Sequence, residues 1–146
     1  MTTKYATGTK VTIGKSILEL GKICEKYGAT NFSMLKGDTK TAILFKYNNR
    51  LYRFDIDLTK IKIKSSGNEI KDEKACKDEE RRRWRVFVIT LKSMFECIEN
   101  EVIASELLLQ PFVLLPDNTI LGEKVLSQVD LLYENSNMIN LLSEHN

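Results

Sequence analysis

Residues 84–102 read WRVFVITLKSMFECIENEV, and this stretch decides the fold. Its large apolar residues recur at alternating steps of four and three: Trp84, Val88, Leu91, Phe95, Ile98 and Val102. Such steps place every member on one face of an α-helix. Phe87 and Met94 widen that face. We therefore predict a long helix over about 74–102, whose broad apolar face must be covered by another layer of structure.

Upstream of this helix, runs of residues alternate in hydropathy with the period of a β-strand. Three runs cover 31–35, 41–47 and 51–58, and a fourth covers 59–64, where the alternation changes face. Asn48-Asn49 separates the second and third runs and favours a tight hairpin turn. Because the connections are short, an antiparallel meander is the simplest topology.

Shorter helices are predicted on both sides of these elements. The first runs from about Thr12 or Gly14 to Tyr27, with Leu18 widening its apolar stripe. Others are expected at about 104–109 and 122–134, the last with three residues directed inward: Val125, Val129 and Leu132. The predicted fold class is α+β. It is an antiparallel three- to four-stranded meander with an N-terminal helix, a long helix packed across the sheet, and short C-terminal helices.

Length and composition are those of one globular domain. The chain has 146 residues, of which 42% are hydrophobic and 29% charged, so it can bury a core without cross-links. We expect a single domain over 1–146, with a loose start at 1–9, a loop at 65–73 and a tail at 135–146. The formal net charge is only +2. Any polyanion site must therefore come from local clustering of basic residues.

Few residues could support catalysis or bind a metal. The three cysteines, Cys24, Cys76 and Cys97, are widely spaced, and the single histidine, His145, is next to last. We therefore expect no zinc site, no cofactor and no enzymatic activity. The polar first residues do not read as a signal peptide, and no apolar run is long enough to span a bilayer. The expected location is the cytoplasm, with no membrane partner.

One strand face carries Arg53, Asp55 and Asp57. Two carboxylates two residues apart could hold a divalent cation. Arg53 and lysines on a neighbouring strand offer a different explanation, in which the carboxylates form cross-strand ion pairs. We favour the ion pairs.

Two rows of basic residues form the candidate nucleic-acid-binding site. The first is on the long helix and the second on the fourth strand-like run; together they comprise Arg81, Arg82, Arg85, Lys92, Lys60, Lys62 and Lys64. Rows of guanidinium and ammonium groups suit phosphate contacts. The alternative for the helix is pairing with Asp78 and Glu79 one turn earlier. The alternative for the lysine row is protection of an exposed edge strand.

A third candidate surface is the apolar tail at 138–142, which reads MINLL. An exposed apolar segment of this kind often marks self-association. The tail could instead dock on its own domain, so a homo-oligomer through 138–142 is one of two possibilities.

Two stretches carry a family resemblance. Residues 79–85 read EERRRWR, and residues 114–123 read LLPDNTILGE. They resemble a family of small uncharacterised proteins encoded by bacteriophages and mobile elements, which has an Arg-Trp-Arg helix and a Leu-Pro-Asp turn before a Gly-Glu helix start. The chain departs from that pattern at Asn118, where the family's turn carries glycine. The resemblance implies a phage or prophage setting inside a bacterial host cell.

These observations lead to two hypotheses. The first is a non-enzymatic phage accessory protein that binds nucleic acid or nucleotide phosphate through the basic flank of the long helix. The second is a protein-interaction module, either an inhibitor of a host protein or anti-phage defence factor, or a homo-oligomeric scaffold. The two differ in whether binding depends on salt and positive charge or on apolar surface.

Overall fold

The computed structural model describes residues 3–38, 40–58, 63 and 65–135. It confirms the predicted α+β class and the order of the elements. These are α1 (Ile13–Lys26), β1 (Thr30–Lys36), β2 (Lys40–Tyr47), β3 (Arg50–Asp57), α2 (Glu69–Glu99), α3 (Ser105–Leu108), a 3-10 turn (Gln110–Phe112) and α4 (Leu121–Asn135).

The three strands form the predicted antiparallel meander in the order β1-β2-β3. Asn48 and Asn49 connect β2 to β3 with φ of 47° and 62°, which is the left-handed geometry of a type I′ hairpin turn. The register then sets Phe45 opposite Tyr52 and Ile43 opposite Phe54. These four side chains are buried, so one face of the sheet is the apolar face that the alternation predicted.

Helices α1 and α2 cover this apolar face. Leu20 and Leu91 are completely buried in the shared core. Phe95 of α2 lies with its ring centroid 5.7 Å from that of Phe45 and 5.2 Å from that of Tyr27, which follows α1. Trp84 is also buried, as its place in the apolar seam predicted. The long helix therefore packs across the sheet.

The boundaries of α2 differ from the prediction at both ends. The helix begins at Glu69, so the second half of the predicted loop 65–73 is helical. Its N-cap is Asn68, whose side chain accepts hydrogen bonds from two backbone N–H groups of the first turn, and this cap starts the helix before the apolar seam begins. The helix ends at Glu99, and Glu101 has a φ of 57°. Val102, placed in the seam by its spacing, is therefore exposed.

Two predictions about inward-facing side chains are wrong. Val125, Val129 and Leu132 of α4 are exposed, and no residue of α4 is buried. Leu18 of α1 is also exposed. Periodicity correctly indicated that α4 is amphipathic, but no other layer of the described structure covers its apolar stripe.

Several predictions fall outside the described residues. They are the fourth strand-like run apart from Ile63, the change of face within it, and the apolar tail at 138–142. Over the ranges that are described, none of the helices is long and apolar enough to cross a membrane.

Candidate interaction surface

Arg81 and Arg82 of the predicted basic flank, and Arg83 beside them, are engaged with acidic residues of their own helix. Arg82 donates two hydrogen bonds to Glu79, at 2.8 and 2.7 Å, and Arg83 donates a third to the same carboxylate at 3.1 Å. Arg81 forms an ion pair with Asp78. The hydrogen bonds from Arg82, which have the largest effect, and from Arg83 lower the pKa of Glu79 to about 2. The pairing that the spacing suggested is thus present, although Arg82 binds Glu79 and not Asp78.

Arg85 pairs with a residue of a different helix. Its Nη1 lies 2.6 Å from Glu19 Oε2 of α1 and donates to the buried hydroxyl of Ser16 at 3.3 Å. The hydrogen bond from Arg85 is the main reason that the pKa of Glu19 is lowered, and the charges of Lys92 and Lys22 add to it. Arg85 therefore links α1 to α2 as well as carrying charge.

Lys92 differs from the three arginines. Its side chain is exposed, and no acidic group of the described ranges lies within ion-pair distance. Its charge contributes to the lowered pKa of Glu19 on α1. Lys60, Lys62 and Lys64 lie outside the described residues. Of the predicted basic site, the structure therefore engages the three arginines in ion pairs and leaves Lys92 exposed, and both Arg85 and Lys92 act on the carboxylate of Glu19.

The acidic residues of β3 are arranged for charge pairing. Arg53 Nε lies 2.9 Å from Asp55 Oδ1, and Lys40 lies opposite Asp57 in the strand register. Arg53 also donates to the backbone carbonyl of Asn118, which ties β3 to the turn before α4. Within the described part of the chain, no three His, Cys, Asp or Glu side chains are grouped so as to hold a metal ion.

Helix α4 presents an exposed apolar surface that the sequence pattern had predicted to be buried. At 100° per residue, its exposed apolar side chains form one stripe: Val125, Leu126, Val129, Leu132 and Tyr133. Leu126 and Leu132 are 67% and 62% exposed. Only Leu131, which is 54% exposed, points away from this stripe. The spacing of these residues shows that one face of α4 is apolar. It does not show whether another part of the protein covers that face.

The start of α4 is fixed by local contacts. A Cβ at Gly122 would lie 3.0 Å from the carbonyl oxygen of Pro111, so glycine permits the close approach of α4 to the 3-10 turn. Lys124 pairs with Asp117 in the preceding turn. These contacts hold the first turn of the helix against the 3-10 turn and the loop before α4.

One flank of the α4 stripe is acidic. Glu123, Asp130 and Glu134 fall on the same side of the helix, next to Leu126. None of the three is in an ion pair with another described residue. The surface of α4 is thus an apolar stripe bordered by negative charge.

A second apolar surface lies on the side of α2 that faces away from the sheet. It is an open groove of about 370 Å³, lined by Ile89, Thr90, Ser93, Met94, Cys97 and Leu108. Leu107 and Val102, near one end of this groove, are exposed, and the backbone N–H of Val102 bonds to Cys97. We call it the α2–α3 groove, because Leu108 belongs to α3.

No protein-family model, curated protein or solved structure matches this chain. The family resemblance stays a prediction, and the function is inferred from the geometry of the surfaces described above.

Proposed function

We propose that this chain is a non-enzymatic protein-interaction module that binds its partner through the apolar stripe of α4. The observation that supports it is the exposure of the whole stripe in a helix with no buried residue. Complete burial of a leucine or valine side chain contributes about 1.5–3 kcal/mol. Covering several of these side chains therefore provides a strong driving force for association.

The stability of the helix itself supports the same function. A 15-residue helix is marginal in water without tertiary packing, because helix nucleation is costly. Beyond its first turn, α4 lacks such packing in the described structure. A partner that covers the stripe would supply the missing contacts, and recognition of an amphipathic helix in a groove is a common mode of protein binding.

The basic flank gives less support to the first hypothesis than the stripe gives to this one. Arg81, Arg82 and Arg85 already bind carboxylates, and each would have to leave its partner before it could contact a phosphate. Exchange of one ionic partner for another gains little free energy at a surface.

The cellular setting that we propose is the cytoplasm of a bacterial host cell during phage growth, as the resemblance implies. The partner is then a host protein, an anti-phage defence factor or a second copy of the chain. Each would be bound through shape and apolar contact and not through chemistry on a substrate.

The test uses two adjacent leucines of α4, of which only Leu132 lies in the stripe. Tagged chains carrying Leu132→Asp or Leu131→Asp are purified from bacterial cells that also express an untagged wild-type copy, beside the tagged wild-type chain. We expect retained proteins to be lost with Leu132→Asp and kept with Leu131→Asp, because only Leu132 belongs to the stripe. If the same proteins are retained by all three baits, the stripe does not bind a partner.

Binding of nucleic acid or nucleotide phosphate is a second candidate, favoured by one observation. Arg85 pairs with Glu19, and the charges of Lys92 and Lys22 also lower the pKa of this carboxyl, so positive charge gathers around Glu19. Fluorescence anisotropy with duplex DNA and single-stranded RNA across salt concentrations tests it. About three phosphate contacts predict a log–log slope near −3 on duplex DNA, reduced by Lys92→Glu. Absence of binding at low salt would remove this candidate.

A further inference from the structure

We propose that a cleft between the N-terminal segment and α2 binds the phosphate group of a small phosphate monoester. The cleft has a volume of about 360 Å³, and its lining consists of Gly8, Thr9, Lys10, Lys74, Asp78 and Arg81. We call it the N-terminal cleft. None of these residues belongs to α4, so the site is independent of the proposed function.

Two segments that are far apart in sequence form the walls of this cleft. Residues 4–9 fold into two successive turns, each closed by a backbone hydrogen bond. Arg82 of α2 donates a hydrogen bond to the backbone carbonyl of Tyr5 at 3.5 Å, which connects these turns to the helix. Lys10 follows the turns directly, and it lines the same cleft as Lys74 of α2. The fold therefore brings together two lysines that no sequence motif relates.

The lining of the N-terminal cleft is positively charged. Three of its side chains are basic and one is acidic, which gives a net charge of +2. Arg81 is paired with Asp78, so these two charges compensate each other. Lys10 and Lys74 are exposed, and neither has an acidic group of the described ranges within ion-pair distance. The two lysines are therefore available to an anion.

The acidic residues of α2 that adjoin the lining residues in sequence are already engaged. Glu73 lies 3.4 Å from Lys77 Nζ, and Glu79 accepts two hydrogen bonds from Arg82. Asp72 accepts hydrogen bonds from the loop before the helix. These three carboxylates therefore have partners other than the two lysines of the cleft.

A phosphate monoester matches the charge of the lining. It carries about −1.5 to −2 at pH 7, whereas a carboxylate carries a single negative charge. Lysine binds phosphate well, because its ammonium group is a compact charge with three hydrogen-bond donors. Two lysines that approach from different segments therefore suit a dianionic phosphate group.

The N-terminal segment supplies uncharged donors as well. Gly8 has a φ of 75°, and its backbone N–H has no acceptor among the described residues. The hydroxyl of Thr9 accepts a hydrogen bond from the backbone N–H of Val11, which leaves its own proton for a ligand. Backbone N–H groups in turns of this kind often form part of anion-binding sites.

The space around the cleft fits a small molecule. An adjoining hollow of about 340 Å³ shares Lys74 and Arg81 with the cleft and is also lined by Ile70, Glu73 and Lys77. Volumes of about 300–1,000 Å³ are typical of small-molecule sites. With its phosphate in the N-terminal cleft, a ligand would place its organic part in this hollow against the exposed Ile70. A single-stranded nucleic acid is bound instead along an extended groove with stacking aromatic residues.

The experiment is a two-dimensional ¹H–¹⁵N NMR titration of the full chain at about 0.15 M sodium chloride, where exposed charges are screened. The ligands are adenosine monophosphate, glucose 6-phosphate and inorganic phosphate, with adenosine and acetate as controls that lack phosphate. We expect the two phosphate monoesters to bind with submillimolar Kd and to shift the signals of residues 8–10 and 74–81. Adenosine and acetate should shift neither segment.

Three variants test whether the two lysines hold the phosphate. Lys10→Ala and Lys74→Ala should each weaken binding about tenfold or more, since hydrogen bonds between charged groups are the stronger ones. Lys46→Ala on β2 is the matched control, because it removes the same charge from an exposed position outside the cleft, and it should leave the Kd unchanged. Circular dichroism checks that all three variants are folded.

Each other outcome overturns the inference in a recognisable way. The inference fails if no phosphate monoester binds, or if Lys46→Ala weakens binding as much as Lys74→Ala does, because attraction would then follow net charge alone. Duplex DNA that binds through Lys10 and Lys74 while adenosine monophosphate does not would identify a nucleic acid as the ligand. None of these results affects the retention of proteins through Leu132, so the proposed function is tested separately.

Discussion

Arg85 Nη1 lies 2.6 Å from Glu19 Oε2, and this ion pair joins α2 to α1 above the buried Ser16. Neither partner can be replaced without changing the interface between the two helices. The sequence placed Arg85 alone in a candidate phosphate-binding row, and in the structure its ion pair with Glu19 links two elements of the fold.

Arg85→Ala is expected to lower the free energy of unfolding more than Glu19→Gln does, because the alanine also leaves the buried Ser16 hydroxyl without its donor. A double-mutant cycle should give a coupling of about 0.5–1 kcal/mol, as for partly exposed ion pairs. Urea unfolding followed by the fluorescence of Trp84, the single tryptophan, measures both. Zero coupling would show that the pair is not formed in solution.

Acid should destabilise the protein partly through Glu79. Its pKa is lowered from 4.5 to about 2 by the hydrogen bonds from Arg82 and Arg83 and by their charges. A lowered folded-state pKa contributes stability that is fully present above about pH 4.5 and is lost as the pH falls toward about 2. Between about pH 6 and pH 3, the free energy of unfolding of Glu79→Gln should therefore fall less than that of the wild type.

Arg82→Ala tests the same acid effect by removing the hydrogen-bond donor to Glu79. Removal of the donor should raise the pKa of Glu79 toward its ordinary value and reduce the same pH dependence. Chemical unfolding of all three proteins at a series of pH values gives the comparison. Equal slopes for the wild type and both variants would contradict the prediction.

Leu20 and Leu18 lie two residues apart on α1 and differ in exposure, 0% against 68%. Leu20→Ala leaves a cavity in the core and should cost about 2–5 kcal/mol. Leu18→Ala should change stability by less than about 0.5 kcal/mol, since it removes no packed contact. Urea unfolding midpoints at equal protein concentration test this prediction. A comparable loss of stability for Leu20→Ala and Leu18→Ala would mean that α1 is rotated from the described position.

Asn118 adopts a φ of 65° in the turn before α4, and its carbonyl oxygen accepts a hydrogen bond from Arg53. Asn118→Gly keeps the left-handed geometry and should be neutral within about 0.5 kcal/mol. Asn118→Val should cost about 1–2 kcal/mol, because a β-branched residue is strained in this region. Thermal unfolding of the two variants distinguishes them. Equal melting temperatures would contradict the left-handed assignment.

The sheet and the core helices were predictable because their signals are local. The alternation in 51–58 and the Asn48-Asn49 pair are enough to define β3 and its turn, and the spacing from Trp84 to Phe95 defines the buried face of α2. The start of α2 was missed because residues 69–77 carry no apolar periodicity. The sequence feature that starts the helix is the N-cap Asn68, which is not part of the apolar pattern.

The candidate site was harder to predict because it depends on contacts between distant residues. Nothing near Arg85 in sequence identifies Glu19 as its partner, since the two meet only when α1 packs on α2. Likewise, the spacing of Val125 and Val129 shows that one face of α4 is apolar, but it does not show that this face is left uncovered. Periodicity identifies the surface that needs burial, and packing decides what buries it.

The hairpin turn at Asn48 and Asn49 has a consequence for how the chain matures on the ribosome. All three strands precede residue 58, so the sheet can form from segments that are adjacent in sequence while α2 is still being synthesised. During that interval Phe45, Tyr52 and Phe54 have only α1 available to shield them. A pause in translation soon after β3 would therefore prolong the stage at which the nascent chain is most prone to aggregate.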